Sequence, residues 1–163
     1  MKFRLEVSPI PSSSWGKSLA NILRGELWDS IRKDIYKMYG HKCVMCKVGG
    51  SVLHCHEVWQ FDDRTHIQKL VGVICLCEDC HNIVHWMRTV TVAKKGEYTE
   101  AYLTFLRKHF CAVNSCNLAA FSEHTSDVVA QYRKRDMYKW TIDWGIWHPD
   151  TLIYKYNQLR TGK

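Results

Sequence analysis

Two pairs of cysteines in this 163-residue chain have the spacing of a metal site. Each pair has the form Cys-x-x-Cys, and the four residues are Cys43, Cys46, Cys77 and Cys80. A two-residue spacer lets both sulfurs of a pair reach one ion, and two pairs complete a tetrahedral thiolate shell that leaves no position for water. The spacing therefore predicts a structural zinc ion rather than disulfide bonds or a catalytic zinc.

A second group of potential ligands lies between and just after the two cysteine pairs. His81 and His85 are four residues apart, so both imidazoles share one face of a predicted helix. Upstream, Cys55, His56 and Glu57 lie in a segment predicted as a β-strand. Neighbours in a regular strand face opposite sides of the sheet, so Cys55 and His56 share a site only where the strand bulges or ends.

Around these residues the sequence predicts an α+β fold, mostly helical, in a single domain over 1–163. Leucine and isoleucine at every fourth position from Leu19 to Ile35 predict a buried helical stripe. Arg24-Gly25 is a point at which this helix can divide, and Gly40 lies where a glycine cap would end it. The predicted parts are an irregular lead-in over 1–17, an N-terminal helical segment over 18–40, a zinc-knuckle core over 41–88, and a helical and aromatic-rich C-terminal extension over 98–163.

The core is predicted as two strands followed by a helix. The strands cover about 52–59 and 70–76, where β-branched and apolar residues concentrate, and the helix runs from 78 to about 87. In the extension, helices are predicted over about 98–110 and 118–133. The aromatic residues of the tail are expected to pack back on the core.

The stretch from Cys43 to His85 resembles the HNH, or ββα-metal, endonucleases that carry two zinc knuckles. The matching positions are Cys43, Cys46, His56, Leu76, Cys77, Cys80, His81 and His85. The flanks resemble a bacterial and phage subgroup of small HNH proteins, in the runs Pro-Ser-Ser-Ser-Trp-Gly from Pro11, Cys-His-Glu-Val-Trp from Cys55 and Arg-x-x-x-x-Trp-x-x-Asp from Arg135. The resemblance implies a ββα-metal core and an enzyme, a metal-dependent endonuclease or nickase that hydrolyses phosphodiester bonds in DNA.

The same resemblance implies roles for the second group. His56 would be the general base that takes a proton from water, while Glu57 or Asp62 would orient His56 or complete the metal shell. The catalytic metal would be held by Cys55, His81 and His85. Cys55 stands where the family usually has Asp or His, and Gly72 where it has Asn. Because a thiolate with two imidazoles suits borderline-soft ions, a second divalent metal is expected to be Zn²⁺, Ni²⁺ or Mn²⁺ before Mg²⁺.

Other interpretations use the same residues without catalysis. The glycine at the Asn position and the cysteine in the ligand set are compatible with an inactive HNH-like zinc module that binds nucleic acid. A third interpretation is a protein-binding factor, such as a phage-encoded modulator of a host system, in which the fold is only a scaffold. Cys55 is also compatible with a small buried hydrophobic residue, and His85 with a cation at a helix C-terminus.

The overall charge favours a polyanionic partner. The formal net charge is +7, and four thiolates with one Zn²⁺ lower it to about +5. The residues predicted to contact nucleic acid, DNA in the first place, are Lys94, Lys95, Arg133, Lys134 and Arg135, although each cluster is also compatible with a solvated helix face. No apolar run is long enough for a membrane span and the N-terminus lacks a signal segment, so a cytoplasmic location without membrane contact is expected. The oligomeric state is left open.

Overall fold

The computed structural model of the chain describes residues 3–161. The first two residues of the predicted lead-in and the last two of the predicted C-terminal extension lie outside the described residues. The elements in chain order are α1 (Leu19–Leu23), α2 (Gly25–Met38), β1 (Leu53–Asp62), β2 (Ile67–Cys77), α3 (Glu78–Val84), α4 (Trp86–Ala93), α5 (Glu100–Asn114), α6 (Leu118–Arg135), β3 (Thr141–Asp143) and α7 (Pro149–Thr161).

The N-terminal helical stripe is divided where the sequence allowed it. Helix α1 begins after Ser18, whose side chain accepts a hydrogen bond from the amide of Asn21. The chain then turns through Arg24 and Gly25, which have φ of 32° and 60°, and continues as α2. The glycine cap is also confirmed, since Gly40 has a φ of 60° just after α2 and its amide donates to the carbonyl of Lys37.

Strands β1 and β2 form an antiparallel hairpin. It is longer than predicted mainly at its turn, since β1 continues to Asp62 and β2 already begins at Ile67, whereas β1 starts at Leu53, one residue after its predicted start. His56 lies opposite Ile74, and the register shifts once, between Val58 and Trp59. Because side chains alternate along a regular strand, His54 and His56 lie on one face of the hairpin and Cys55 lies on the other. The shift leaves Val71 of β2 unpaired, so the alternation of β1 is uninterrupted and decides which of its residues can share a site.

The third strand was not predicted. β3 pairs in parallel with β2, which gives the sheet order β1-β2-β3 and leaves β1 with one free edge. It lies in the aromatic-rich extension, where Trp140 is buried and its indole donates to the carbonyl of Arg135. The tail therefore packs back on the core as expected, and part of it does so as sheet.

Helices cover both faces of the hairpin. On one face α3 to α6 enclose a core that includes Leu76, Ile83 and Phe110. On the other, α1 and α2 enclose a second core with Leu19 and Leu70. The α+β, mostly helical single-domain fold is confirmed. None of the described helices combines the length and apolar character that a bilayer span requires.

The helix predicted from 78 to about 87 is two helices, α3 and α4, that meet at His85. His85 has φ −93° and ψ 33°, outside the regular helical region. Just beyond it, the hydroxyl of Thr89 donates to the carbonyl of Asn82 at 2.8 Å inside the protein. This buried side-chain bond satisfies a carbonyl at the end of α3, and the second helix continues from the break to Ala93.

Candidate functional site

The four cysteines of the two Cys-x-x-Cys pairs converge. Their sulfurs all lie within 4.8 Å of one another, and Cys46 Sγ is 3.6 Å from Cys77 Sγ. Tetrahedral zinc, with Zn–S bonds of about 2.3 Å, places sulfurs about 3.8 Å apart. The predicted set of Cys43, Cys46, Cys77 and Cys80 is confirmed as a cluster that can hold a structural metal such as zinc.

The backbone explains why these sulfurs meet. The first pair lies in a tight turn, in which the amide of Cys43 donates to the carbonyl of Val48 at 2.9 Å. The amide of Val44 donates to the carbonyl of Cys75, which attaches this turn to the end of β2. Cys77 is the last residue of β2 and Cys80 lies in the first turn of α3. The junction of strand and helix thus faces the turn.

The pKa values of the clustered cysteines indicate that a cation would stabilise their thiolate forms. Hydrogen bonds from Cys77 and Cys80 hold the pKa of Cys43 well below its usual range. The same bonds raise the pKa of Cys80, and that of Cys77 to about 12. Without a cation, a thiolate at one of these sulfurs makes ionisation of its neighbours unfavourable. A bound divalent ion would favour the thiolate form of all of them.

Three histidines form a second cluster on the α3 side of the hairpin. His56 lies on β1, His81 on α3, and His85 at the break between α3 and α4. One ring nitrogen from each lies within 4.8 Å of the others. The ring centroids of His81 and His85 are 4.6 Å apart, and those of His56 and His85 are 4.9 Å apart. The structure therefore brings together three of the predicted site residues.

Burial keeps these imidazoles neutral. It lowers the pKa of His81 to about 3 and that of His85 to about 4, with a smaller contribution from the positive charge of neighbouring side chains. The pKa of His56 also lies well below its usual value, first through burial and then through His85 and His81. At neutral pH each ring has a free lone pair, which is the form that binds a metal or accepts a proton.

A fourth histidine adjoins this cluster. The ring of His54 stacks on that of His81, with a centroid distance of 4.7 Å and an interplanar angle of 10°. Its Nε2 is buried without a hydrogen-bond partner among the described residues. His54 lies on the same face of β1 as His56, as expected for residues two apart on a strand.

Cys55 does not join the histidines, contrary to its predicted role as a metal ligand. Its sulfur faces α2, where it lies 3.9 Å from the carbonyl oxygen of Arg32. Burial raises the pKa of the Cys55 thiol to about 11, so it remains protonated at neutral pH. The reason is strand alternation, because the extra residue at the shift in register, Val71, lies on β2 and β1 stays regular through Cys55 and His56.

Neither carboxylate predicted to support His56 contacts it. Glu57 Oε1 accepts a hydrogen bond from the amide of Leu19 at 2.6 Å and so ties β1 to the start of α1. Burial raises the pKa of Glu57 to about 7. Asp62 accepts hydrogen bonds from the amides of Arg64 and Thr65 and shapes the hairpin turn. Both side chains serve the fold around the site in this structure.

A cavity of about 860 Å³ lies between the edge of β1, the N-terminal segment and the helices α3 and α4. The three clustered histidines line it, together with Glu57. Its other walls combine aromatic rings with cations. These are Trp15, Trp28, Trp59, Lys17, Arg88 and Lys95. The histidine cluster therefore opens into a space large enough for a small organic ligand.

The chain was compared with protein-family models, with curated proteins and with solved structures. None of them matches it. The two clusters and the cavity are therefore the basis for a functional proposal.

The five basic residues predicted to contact nucleic acid divide into two kinds. Lys94, Lys95, Arg133 and Lys134 are exposed, and Lys95 lines the cavity. Arg135 is buried, contrary to prediction. Its guanidinium pairs with Asp63 at 2.8 Å and lies over the ring of Phe61 at 4.0 Å. A run of adjacent basic residues in a sequence does not show which of their side chains is buried.

Two cations of the cavity were missed by the sequence reasoning. Arg88 follows His85 by three residues, a helical spacing that could have indicated it. Lys17 lies in the lead-in, where nothing in the sequence points to the cavity. Its ammonium group donates to the carbonyl of Ser13 at 2.7 Å.

Proposed function

We propose that this protein is a metal-dependent nuclease that hydrolyses phosphodiester bonds in nucleic acid, DNA in the first place. The observation that carries the proposal is the convergence of His56, His81 and His85 at the wall of a basic cavity. The resemblance of the sequence to HNH endonucleases supports the same conclusion.

The donor set of the histidine cluster suits a borderline divalent ion. Three neutral imidazoles are ligands typical of Zn²⁺, Ni²⁺ and related ions, and they suit Mg²⁺ poorly. With Cys55 turned away, the third protein ligand that the geometry supports is His56. When bound, such an ion offsets the negative charge that develops on the phosphate and on the leaving 3′-oxygen.

The side chains around this cluster suit a phosphodiester substrate. Arg88 and Lys95 line the same cavity and would hold phosphate groups beside the histidines. Water attacks phosphorus and the bond to the 3′-oxygen breaks, so a group that accepts the proton of water speeds the step. A neutral His56 can take that proton if it is not a ligand, which was its predicted role.

Plasmid cleavage tests the proposal directly. Supercoiled plasmid is incubated with the protein and Zn²⁺, Ni²⁺, Mn²⁺ or Mg²⁺. We expect nicking with one of the first three ions, and a loss of at least a hundredfold in His85→Ala. His148→Ala is the matched control, since His148 is exposed and lies outside the cavity. Equal nicking by both variants would contradict the proposal.

The same assay separates the two roles of His56. If His56 is a ligand, His56→Ala lowers the metal content of the protein by one ion together with activity. If His56 is the base, the variant keeps that ion and only its rate of plasmid nicking falls. His54→Ala is not a neutral control for this purpose, because His54 stacks on His81.

A non-catalytic module is the second candidate. It is favoured by Cys55 and Glu57, two residues of the predicted catalytic set whose side chains bond elsewhere, to Arg32 and Leu19. In that case the protein binds nucleic acid with an affinity that falls steeply with salt, and no metal induces cleavage.

A further inference from the structure

The cavity has a second end that the metal cluster does not use. Two deeply buried polar atoms line or adjoin this end without a hydrogen-bond partner among the described residues, Ser14 Oγ and Gln68 Oε1. Both residues line the cavity, and Gln68 is only 1% exposed. Buried polar atoms are almost always bonded in native proteins, so two such atoms at one cavity are free to bond to water or to a ligand with complementary groups.

The position of Gln68 separates this end from the histidines. On β2, Gln68 is six residues from Ile74, the residue opposite His56. At about 3.3 Å per residue, this is about 20 Å along the strand. A ligand that reaches both ends is therefore longer than one nucleotide. The cavity volume of about 860 Å³ is compatible with a short oligonucleotide segment.

The remaining walls match the chemistry of a nucleic acid strand. Trp15 is 64% exposed, and its indole nitrogen donates to the carbonyl of Ile10 at 2.9 Å, which fixes the plane of the ring. A fixed, exposed indole offers a face on which a base can stack. Lys17, Arg88 and Lys95 bring positive charge for phosphates.

We propose that this cavity binds unpaired nucleotides of a single-stranded nucleic acid, with a base against Trp15 and its polar edge on Gln68 and Ser14. The amide oxygen of Gln68 accepts a hydrogen bond from a ring N–H or an exocyclic amino group, and the hydroxyl of Ser14 donates or accepts. In a duplex the polar edges of the bases are paired and their faces are stacked on neighbouring bases. A duplex therefore cannot bond to Gln68 and Ser14 or stack on Trp15. This inference rests on the proposed function and names its substrate class.

Binding tests the inference apart from cleavage. The protein carries His85→Ala to suppress hydrolysis, and its affinity for a labelled single-stranded 12-mer is measured by fluorescence anisotropy. The same sequence as a duplex and a mononucleotide serve as competitors. We expect the single strand to bind at least tenfold more tightly than the duplex, and the mononucleotide to compete weakly. Equal affinity for single strand and duplex would overturn the inference.

Gln68→Leu is the decisive variant. It keeps the volume and removes the unbonded polar group, so its melting temperature should be unchanged or higher. We expect its affinity for the single strand to fall five- to tenfold, and Trp15→Ala to lower it about tenfold. Gln60→Leu is the matched control, because Gln60 is exposed on β1 and lies outside the cavity. If Gln68→Leu binds as tightly as Gln60→Leu, the inference fails.

Cleavage and binding can fail independently. Selective single-strand binding that depends on Gln68, with no cleavage under any metal, would support this inference and overturn the nuclease proposal. The opposite result is metal-dependent cleavage that is faster on duplex than on single strand and is unchanged in Gln68→Leu. It would support the nuclease proposal and overturn this inference.

Discussion

At the scale of single residues, the sulfur of Cys80 has a partner outside the cysteine cluster. His109 Nε2, on α5, lies 3.3 Å from Cys80 Sγ. A ring N–H that donates to a metal-bound thiolate orients it and offsets part of its charge. We expect His109→Phe to lower zinc affinity ten- to a hundredfold, because Phe fills the space but cannot donate.

Chelator competition at neutral pH measures this affinity. The matched control is Lys108→Ala, an exposed neighbour on α5, which should bind zinc as the wild type does. Zinc affinity that is the same in His109→Phe as in Lys108→Ala would show that the 3.3 Å contact does not support the site.

Arg135 allows a second prediction at this scale. Because its side chain is 10% exposed, pairs with Asp63 and covers Phe61, we expect Arg135→Ala to destabilise the protein by about 2 kcal/mol. Arg133→Ala should change the free energy of unfolding by less than about 0.5 kcal/mol, because Arg133 is exposed. Urea unfolding of the two variants measures the difference, and similar values would refute the structural role of Arg135.

Spacing predicted the cysteine cluster and the pair His81 and His85, whereas His56 was given its role only through the family resemblance. Spacing was less successful for the direction of single side chains. The cysteine cluster follows from two Cys-x-x-Cys spacings, and the pairing of His81 with His85 follows from the helical repeat. The inward turn of Arg135 depends on Asp63, which is distant in sequence. Whether Cys55 joins His56 depends on whether β1 bulges between them. The bulge lies on β2, at Val71, a property of the paired strands that neither strand shows alone.

At the scale of elements, the N-terminal segment is attached to the helices by side chains. The amide of Val7 donates to Nε2 of His124 on α6 at 3.0 Å, so His124 must be neutral to accept. Burial lowers its pKa from the usual 6.5, although Glu6 and Asp127 favour its charged form. Because the pKa of His124 is lower in the folded state, its contribution to the free energy of unfolding is fully present above about pH 6.5. This contribution is lost as the pH falls through the folded-state pKa.

The pH dependence of this attachment can be measured. We expect the free energy of unfolding to fall below about pH 6.5, and amide exchange at Val7 to speed up in the same range. In His124→Gln, whose side-chain oxygen can accept the same bond without titrating, the dependence should be weaker. His148→Ala, which removes an exposed histidine, should leave it unchanged. An identical pH profile in His124→Gln would contradict this attachment.

The elements themselves were largely predictable, and their ends were not. Helix periodicity indicated α1 and α2, and Arg24-Gly25 indicated the division between them. Helices were also predicted at the positions of α5 and α6. β3 was missed because three residues, Thr141 to Asp143, carry no strand pattern and pair only because β2 offers a free edge. The break at His85 was missed because the side chain of Thr89 that accompanies it is seven residues from its partner, Asn82.

At the scale of the whole molecule, the hairpin is shared by two cores. Leu76 lies in the core with Cys43, Cys77 and Cys80, whereas Leu70 on the same strand lies in the core with α1 and α2. Because these three cysteines belong to the candidate metal site, removal of a bound metal would leave crowded sulfurs without a cation inside the first core. The loss should therefore spread through β2 into the second core.

We expect a chelator under reducing conditions to lower the melting temperature by more than about 10 °C, since structural zinc contributes several kcal/mol to folding. The apoprotein should unfold in one transition, with helix signal and tryptophan fluorescence changing together. His85→Ala should retain the metal of the cysteine cluster and respond to the chelator as the wild type does. Two separate transitions would show that the hairpin does not couple the cores, and an unchanged melting temperature would show that the cysteine cluster does not depend on a metal. Either result would identify a different source of stability for the scaffold that positions the histidines, because α3 carries both Cys80 and His81.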